Sequence, residues 1–326
     1  MNLNFDGLYT VVATLMLLIA VGFLCRKVGI INDVFSKNLS KLVLMVGQPA
    51  MLIYSMAGAE YSQENVNIAW TMLALGFVYH IALGILGYFL ALPYKKNLDE
   101  EKISEFSFMF ANCAFIGFPI FEALLGPTGL FMASFLVFSF NVLLWTWGLS
   151  IFGRKRADIK LNIRKIFFNF GSVPCVIGFV LYLLKDPAIG FEMPAFIFKA
   201  SGYLTNICTP ISVMIIGALI ATQSPRRIFC SWKIYYFNAM KLFVLPLLVC
   251  LISKVLLMLL PYEGLEMYAV FVTAAAALPS AAAVSMMSET HGLDSGYSSV
   301  IVGTTSLLSV LSLPLTLMVA EFIFKL

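Results

Sequence analysis

The sequence predicts an all-α integral membrane protein with about ten transmembrane helices, and three observations carry that expectation. Hydrophobic residues make up 61% of the chain and charged residues only 12%. Mean hydropathy is +0.94. Apolar runs of about 20 residues, the length that crosses a bilayer's hydrocarbon, alternate with short loops that carry charge, proline or glycine. A soluble domain is about 45–50% apolar and roughly 25% charged. A chain of 326 residues with this composition has far more apolar surface than one aqueous core can bury.

The runs lie at about 7–25, 38–58, 67–92, 103–122, 128–152, 166–184, 197–222, 233–260, 266–288 and 296–323. Residues 1–6 (MNLNFD) lack a basic leader, so the first run reads as an ordinary span and not as a cleavable signal. Basic residues gather in the loops after odd-numbered runs. They include Arg26 and Lys27, Lys95 and Lys96, the stretch GRKRADIKLNIRK (153–165), and Arg226, Arg227 and Lys233. By the positive-inside rule those loops face the cytoplasm, and both termini lie outside the inner membrane. The basic stretch 153–165 divides the chain into a first half, 1–152, and a second half, 166–326, of five helices each. An odd number of helices per half inverts one half relative to the other.

Two proline pairs point to an inverted repeat. Gln48-Pro49 in run 2 matches Thr209-Pro210 in run 7. Pro119 in run 4 (ANCAFIGFPIFEAL) matches Pro279 in run 9 (VTAAAALPSAAAVSM). Both pairs have nearly the same offset, close to half the chain. Proline removes an N–H and clashes with the carbonyl one turn back, so helices 4 and 9 are expected to be broken near mid-membrane. In inverted halves the breaks cross. Their N–H ends then form an anion site, and their carbonyl ends can hold a cation. The alternative is that each proline only kinks a packed helix.

Polar residues inside the spans supply the candidate site. Asn112, about two turns before Pro119, is a candidate for substrate or gate contact, against a plain interhelical hydrogen bond. Asn141 in run 5 is an equal contender for either role. Thr304, Thr305 and Ser306 in run 10, with Ser280 after Pro279, lie at comparable depth; such small residues also serve close packing. His80 is the best titratable group near mid-span, a candidate for proton coupling against a neutral packed imidazole. Glu122 follows Pro119 by one turn and is expected in the first turn of the second half-helix, as a cap, proton site or mouth residue. Lys241 and Lys254 are expected to snorkel to opposite interfaces. Glu289, His291 and Asp294 read as a wet loop and not as a metal site. The six cysteines read as small core hydrophobes. Phosphate-loop, HExxH, GxSxG and potassium-filter motifs are absent, and no basic soluble module suggests nucleic acid. No enzyme, cofactor or metal is expected.

The segment NCAFIGFPI (112–120), the run AAALPSAAAVSMMSETHG (275–292) and the ten-span plan resemble the auxin efflux carrier family over essentially the whole chain. Its most specific element is Asn-x-x-x-x-Gly-x-Pro, matched by Asn112, Gly117 and Pro119. The resemblance implies a five-plus-five inverted repeat with crossed, broken helices 4 and 9. It also implies scaffold and transport subdomains that move like an elevator, and commonly a homodimer. In plant carriers of the family an Asn before the break and one in helix 5 contact a substrate carboxylate, which maps onto Asn112 and Asn141. The short central loop and His80, where plant carriers carry a charged pair, depart from the pattern. The function expected is secondary active transport of a small organic anion, a mono- or dicarboxylate, coupled to protons or sodium. The alternatives are an uncoupled channel or uniporter, and a metabolite-sensing membrane protein.

Overall fold

The computed structural model describes residues 5–154, 168–223, 231–260 and 264–325. Most of the basic linker 153–165 lies outside the described residues, as do Arg226, Arg227 and Cys230. Eleven helices carry the described chain: α1 (Phe5–Lys27), α2 (Asp33–Gly58), α3 (Gln63–Leu90), α4 (Leu98–Met109), α5 (Gly117–Gly153), α6 (Ser172–Leu183), α7 (Ala195–Thr222), α8 (Trp232–Leu259), α9 (Leu265–Ala277), α10 (Ala283–Thr290) and α11 (Ser295–Lys325). Among the described residues seven helices are long and apolar enough to cross a membrane: α1, α2, α3, α5, α7, α8 and α11. α6 and α9 are shorter apolar helices. The protein is therefore an all-α, multi-pass membrane protein.

Local chemistry accounts for the helix limits. Asn32, Ser62 and Asn97 accept backbone N–H bonds at the starts of α2, α3 and α4. Asp99, Glu100 and Glu101 crowd the first turn of α4, where the helix dipole favours negative charge. Inside α5 the chain turns at Gly126 (φ 61°, ψ −147°), next to Pro127. That conformation is open to glycine, and it marks the expected limit between runs 4 and 5. Pro49 and Pro246 do not break their helices. Each follows a π-helical turn, Val43–Gly47 and Met240–Val244, which absorbs the clash.

The helices pack in two groups. α1 lies against α7 so closely that a Cβ on Gly22 would stand 2.0 Å from the Met214 carbonyl oxygen. α2 packs on α6 and α7, and a Cβ on Gly47 would be 2.4 Å from Cys208 Sγ. The second group gathers α3, α4 and α5 with α8 to α11. The groups meet where α1 packs on α5 and α11, α7 on α11, and α2 and α6 on α5.

Polar contacts concentrate at two ends. At one, Lys37 pairs with Glu289 at 2.6 Å, Lys233 with Glu100, and Arg154 with Glu105 at 2.5 Å and Glu101 at 3.6 Å. The Tyr94 hydroxyl donates to the Lys233 carbonyl at 2.8 Å, and Asp294 accepts from the Tyr297 N–H at 2.9 Å. Loops that are distant in sequence, each with basic residues, thus share one face. Glu289 and Asp294 serve as ion-pair partner and helix cap, and among the described residues no metal-ligating cluster occurs. At the other end Lys185 donates to the carbonyls of Ala57 and Ala59, at 3.1 and 2.6 Å, closing the C-terminus of α2. Beside it the Tyr61 hydroxyl donates to Asp186 at 2.6 Å and holds that carboxyl below the usual range.

Candidate functional site

The centre of the second group is an intersection of two interrupted helices. α4 ends at Met109, and Phe110 turns to extended backbone (φ −106°, ψ 108°). α9 ends at Ala277, and Leu278 does the same (φ −66°, ψ 148°). The two extended strips run antiparallel. The Asn112 N–H donates to the Pro279 carbonyl at 2.8 Å, and the Ala281 N–H donates to the Phe110 carbonyl at 3.0 Å. Backbone groups freed by one break thus satisfy those freed by the other, as an apolar interior demands. α5 and α10 then carry the chain onward.

The break in the first strip is not at Pro119. α5 begins at Gly117, so Pro119 stands in its first turn, where a missing N–H leaves no bond unmade. Pro279 does lie in its break, and its carbonyl is the acceptor just described. Gly117 matters for closeness: a Cβ there would be 2.9 Å from the Phe121 ring and 3.0 Å from Leu278.

Asn112 is buried. Its Oδ1 accepts the Phe115 N–H at 3.2 Å, while its Nδ2 has no partner. Ser280 ties the second strip to its neighbours: its N–H donates to Thr305 Oγ1 at 3.2 Å and its hydroxyl to the Ser107 carbonyl at 3.5 Å. Thr305 in turn donates to the Ile301 carbonyl at 2.7 Å. Asn112, Gly117, Pro279, Ser280 and Thr305 are thereby brought together.

His80 lies on the same centre. Its Nδ1 is 2.8 Å from the Gly76 carbonyl oxygen and 3.3 Å from Ser139 Oγ. The ring packs among Tyr79, Phe110 and Phe140, so it touches the first residue of the break. Its Nε2 and the Tyr79 hydroxyl have no partner.

Four expected site features sit elsewhere. Asn141 donates to the Val137 carbonyl at 2.7 Å and packs over Gly171, where a Cβ would be 2.1 Å from its side chain. Its contacts thus lie at the start of α6, one residue on from Phe140, which does face the break. Glu122 is exposed and falls in the second turn of α5, because the helix starts at Gly117 and not at Pro119. Gln48-Pro49 and Thr209-Pro210 lie next in sequence to the close contact of Gly47 with Cys208 between α2 and α7. There α2 stays continuous, whereas α7 is interrupted at Ile207 and restarts with Pro210 in its first turn.

Lys241 overturns its expectation most clearly. Far from snorkelling, it is fully buried, and its Nζ donates to the Phe108 carbonyl at 3.1 Å. Phe108 is the penultimate residue of α4, so its carbonyl belongs to the unsatisfied C-terminal set at the negative end of the dipole. The π turn Met240–Val244 holds Lys241 there, and such turns recur at functional positions. Its signal in the sequence was a lysine deep in an apolar run. Asn238, one turn earlier, donates to Thr304 Oγ1 at 3.1 Å.

The site therefore offers a cation on the carbonyl end of one half-helix, a free amide donor, and an imidazole with one open nitrogen. Residues 8–317 match a family described as membrane transport protein. The chain is 26% identical over 223 residues to an uncharacterized transporter of Methanocaldococcus jannaschii, covering 66% of this chain and 69% of that one. It is 22% identical over 315 residues to an uncharacterized transporter of Methanothermobacter thermautotrophicus, covering 95% of this chain and 98% of that one.

Proposed function

Since the chain belongs to this membrane transport protein family, the auxin efflux carrier family that its motifs resemble, we propose that it is a secondary carrier of a small organic anion working by alternating access. The observation that carries this reading is the paired break, Asn112 to Pro279 and Ala281 to Phe110. Two interrupted helices that meet inside a membrane protein present dipole ends to a solute, and ordinary packing gives no reason to interrupt both.

In this reading the carboxylate sits against Asn112 Nδ2, with Lys241 supplying positive charge. Ser280 and Thr305 hold the second strip in register. The two packing groups supply the moving and fixed parts: α1, α2, α6 and α7 as scaffold, the rest as the body that carries the site. The five-plus-five inverted division accounts for two breaks of opposite direction at one centre. The end bearing Lys37, Arg154 and Lys233 is the cytoplasmic face of the inner membrane, which leaves both termini outside. His80 couples a proton, because a histidine with one open nitrogen against the break can bind and release it as the site opens.

Proteoliposomes test this directly. A coupled carrier accumulates labelled carboxylate when a pH or sodium gradient is imposed. Equilibration without accumulation would replace it by a uniporter, and binding without flux by a sensor.

Two substitutions probe the site. Asn112→Ala is expected to weaken substrate affinity by about tenfold or more, the loss of one hydrogen bond to a charged group. Unchanged affinity in a binding titration would take Asn112 out of the site. His80→Gln keeps a similar hydrogen-bonding shape but cannot titrate near neutrality. It is expected to flatten the pH dependence of uptake between pH 5 and 8, about the range in which histidine changes charge. A profile that keeps its slope would place the coupling proton on another group.

A further inference from the structure

Building on the carrier reading, we propose that His80 is itself a substrate ligand: the carboxylate binds only to the protonated Nε2, so anion and proton load together and leave together.

The hydrogen bonds of the ring fix where its hydrogen sits. Nδ1 stands 2.8 Å from the Gly76 carbonyl oxygen, which has no hydrogen to give. Nδ1 therefore carries the hydrogen and donates it. Ser139 Oγ, at 3.3 Å from Nδ1, is consistent with this. Its own hydrogen goes to the Leu136 carbonyl at 2.8 Å, so it turns a lone pair to the ring. With Nδ1 committed, the neutral imidazole has a bare lone pair at Nε2. That nitrogen is buried and has no partner among the described residues. A bare lone pair repels a carboxylate oxygen. Once Nε2 takes a proton from water, the same atom becomes a charged donor, which makes short, strong hydrogen bonds to carboxylates.

The second open donor is Asn112 Nδ2, also buried and without a partner. The His80 ring packs on Phe110, where the first extended strip begins, and Asn112 lies two residues on. A carboxylate has two oxygens. The site has two open donors, one permanent and one that exists only with the proton.

The surrounding charges make the two events depend on each other. From α8, Lys241 lies within electrostatic reach of the imidazole. Tyr79 is its neighbour on α3, and Cys113 of the strip lies within reach of both Tyr79 and Lys241. α5 presents Ser139 and Phe140, which do not titrate. Among the described residues no carboxylate acts on the ring. A protonated His80 beside Lys241 would thus be a second buried cation without a counter-charge, a costly state. An incoming carboxylate supplies that counter-charge. Proton and anion then raise each other's affinity by the same factor.

Asn and Gln separate the roles of the two nitrogens. An Asn amide reaches the place of Nδ1. Asn141 and Asn238 already bond the carbonyl four residues back in this way, at 2.7 and 2.8 Å. His80→Asn therefore keeps the Gly76 bond and deletes Nε2. A Gln amide reaches the place of Nε2 and offers an uncharged donor at every pH. Counterflow in proteoliposomes of the full chain, with labelled acetate, propionate, malonate and succinate, reads the difference. Exchange is expected to fall several-fold in His80→Gln and to lose its pH dependence. In His80→Asn it is expected to fall about a further tenfold.

Nitrogen NMR of histidine-labelled protein reads the atom itself, whatever the fate of the variants. The chain has two histidines, His80 and His291, and His291→Gln removes the second signal. At about pH 8, well above the ordinary histidine range, the free protein is expected to show a protonated Nδ1 and a bare Nε2. With the exchanged acid bound, both nitrogens are expected to be protonated. A hydrogen on Nε2 instead of Nδ1 in the free protein, a bare Nε2 with the acid bound, or equal exchange by the Asn and Gln variants would overturn this inference while the carrier reading stands. If none of the four acids exchanges, the organic-anion carrier reading itself falls, and this inference with it.

Discussion

Lys241→Met is expected to abolish transport while leaving the protein as stable as the wild type, or more so. Met has the length of the lysine stem and no charge. Replacing a buried charge by an apolar side chain of similar shape is often neutral or stabilising, by up to about 1–4 kcal/mol, because the desolvation penalty disappears with the charge. Here the ammonium is fully buried and makes one recorded hydrogen bond, to the Phe108 carbonyl at 3.1 Å. That carbonyl lies at the end of α4, so it keeps its dipole when the lysine is gone, and the break becomes net negative. An anion brought there would then meet repulsion instead of attraction. We expect a fall in uptake of about 100-fold or more, which corresponds to about 3 kcal/mol of lost anion stabilisation. Lys241→Arg keeps the charge but not the compact head, and should fall between the two. The measurements are thermal unfolding in detergent and initial uptake in proteoliposomes. Wild-type uptake by the Met variant would take Lys241 out of the substrate site.

The second large effect concerns the scaffold. Gly217→Val is expected to lower thermal stability severely and to reduce the yield of monodisperse protein. A Cβ on Gly217 would stand 2.0 Å from the Ile19 carbonyl oxygen and 2.8 Å from the Phe23 backbone nitrogen. Gly22 meets the Met214 carbonyl oxygen in the same way from the other side. Both obstacles are backbone, so no side chain can rotate aside, and α1 must move off α7. Overpacking against side chains already costs about 1–3 kcal/mol. Separating two helices that pack through glycine also forfeits their close van der Waals contact, which is what holds helices together in lipid. Leu17→Val, on the exposed face of α1, is the control and should melt with the wild type. If the Gly217 variant melts with it too, α1 and α7 are not held together by this backbone contact.

Much of this architecture was legible in the residues, for reasons that differ from feature to feature. That the chain crosses a membrane several times was legible because hydrocarbon thickness imposes a length on every apolar run, and seven described helices reach that length. The breaks were legible in kind because Pro119 and Pro279 sit in the middle of long apolar runs, where a proline disturbs a continuous helix. Asn112, Gly117 and Pro119 were legible as one motif. The position of the first break was less so: Pro119 belongs to the start of α5, and the interruption precedes it. Proline tolerates the first turn of a helix as readily as it ends one, so its presence marks a neighbourhood and not a point. Asn141 went astray for a related reason. It neighbours Phe140, which faces the break, and one residue on a helix turns the side chain about 100° away, toward Gly171.

Composition and spacing alone determined that this protein lives in a membrane and that two of its apolar runs are interrupted. These are consequences of local rules: the length of an apolar run, the missing N–H of a proline, the identity of a motif. Tertiary structure decided which atoms close the interruptions, that a lysine in an apolar run turns inward to the end of α4, and which asparagine remains open. Those outcomes depend on backbone strips about half the chain apart becoming hydrogen-bonding partners, as Asn112 and Pro279 do. No local pattern encodes such a pairing, because the partner of a freed carbonyl is chosen by whatever the packed bundle brings within reach of it.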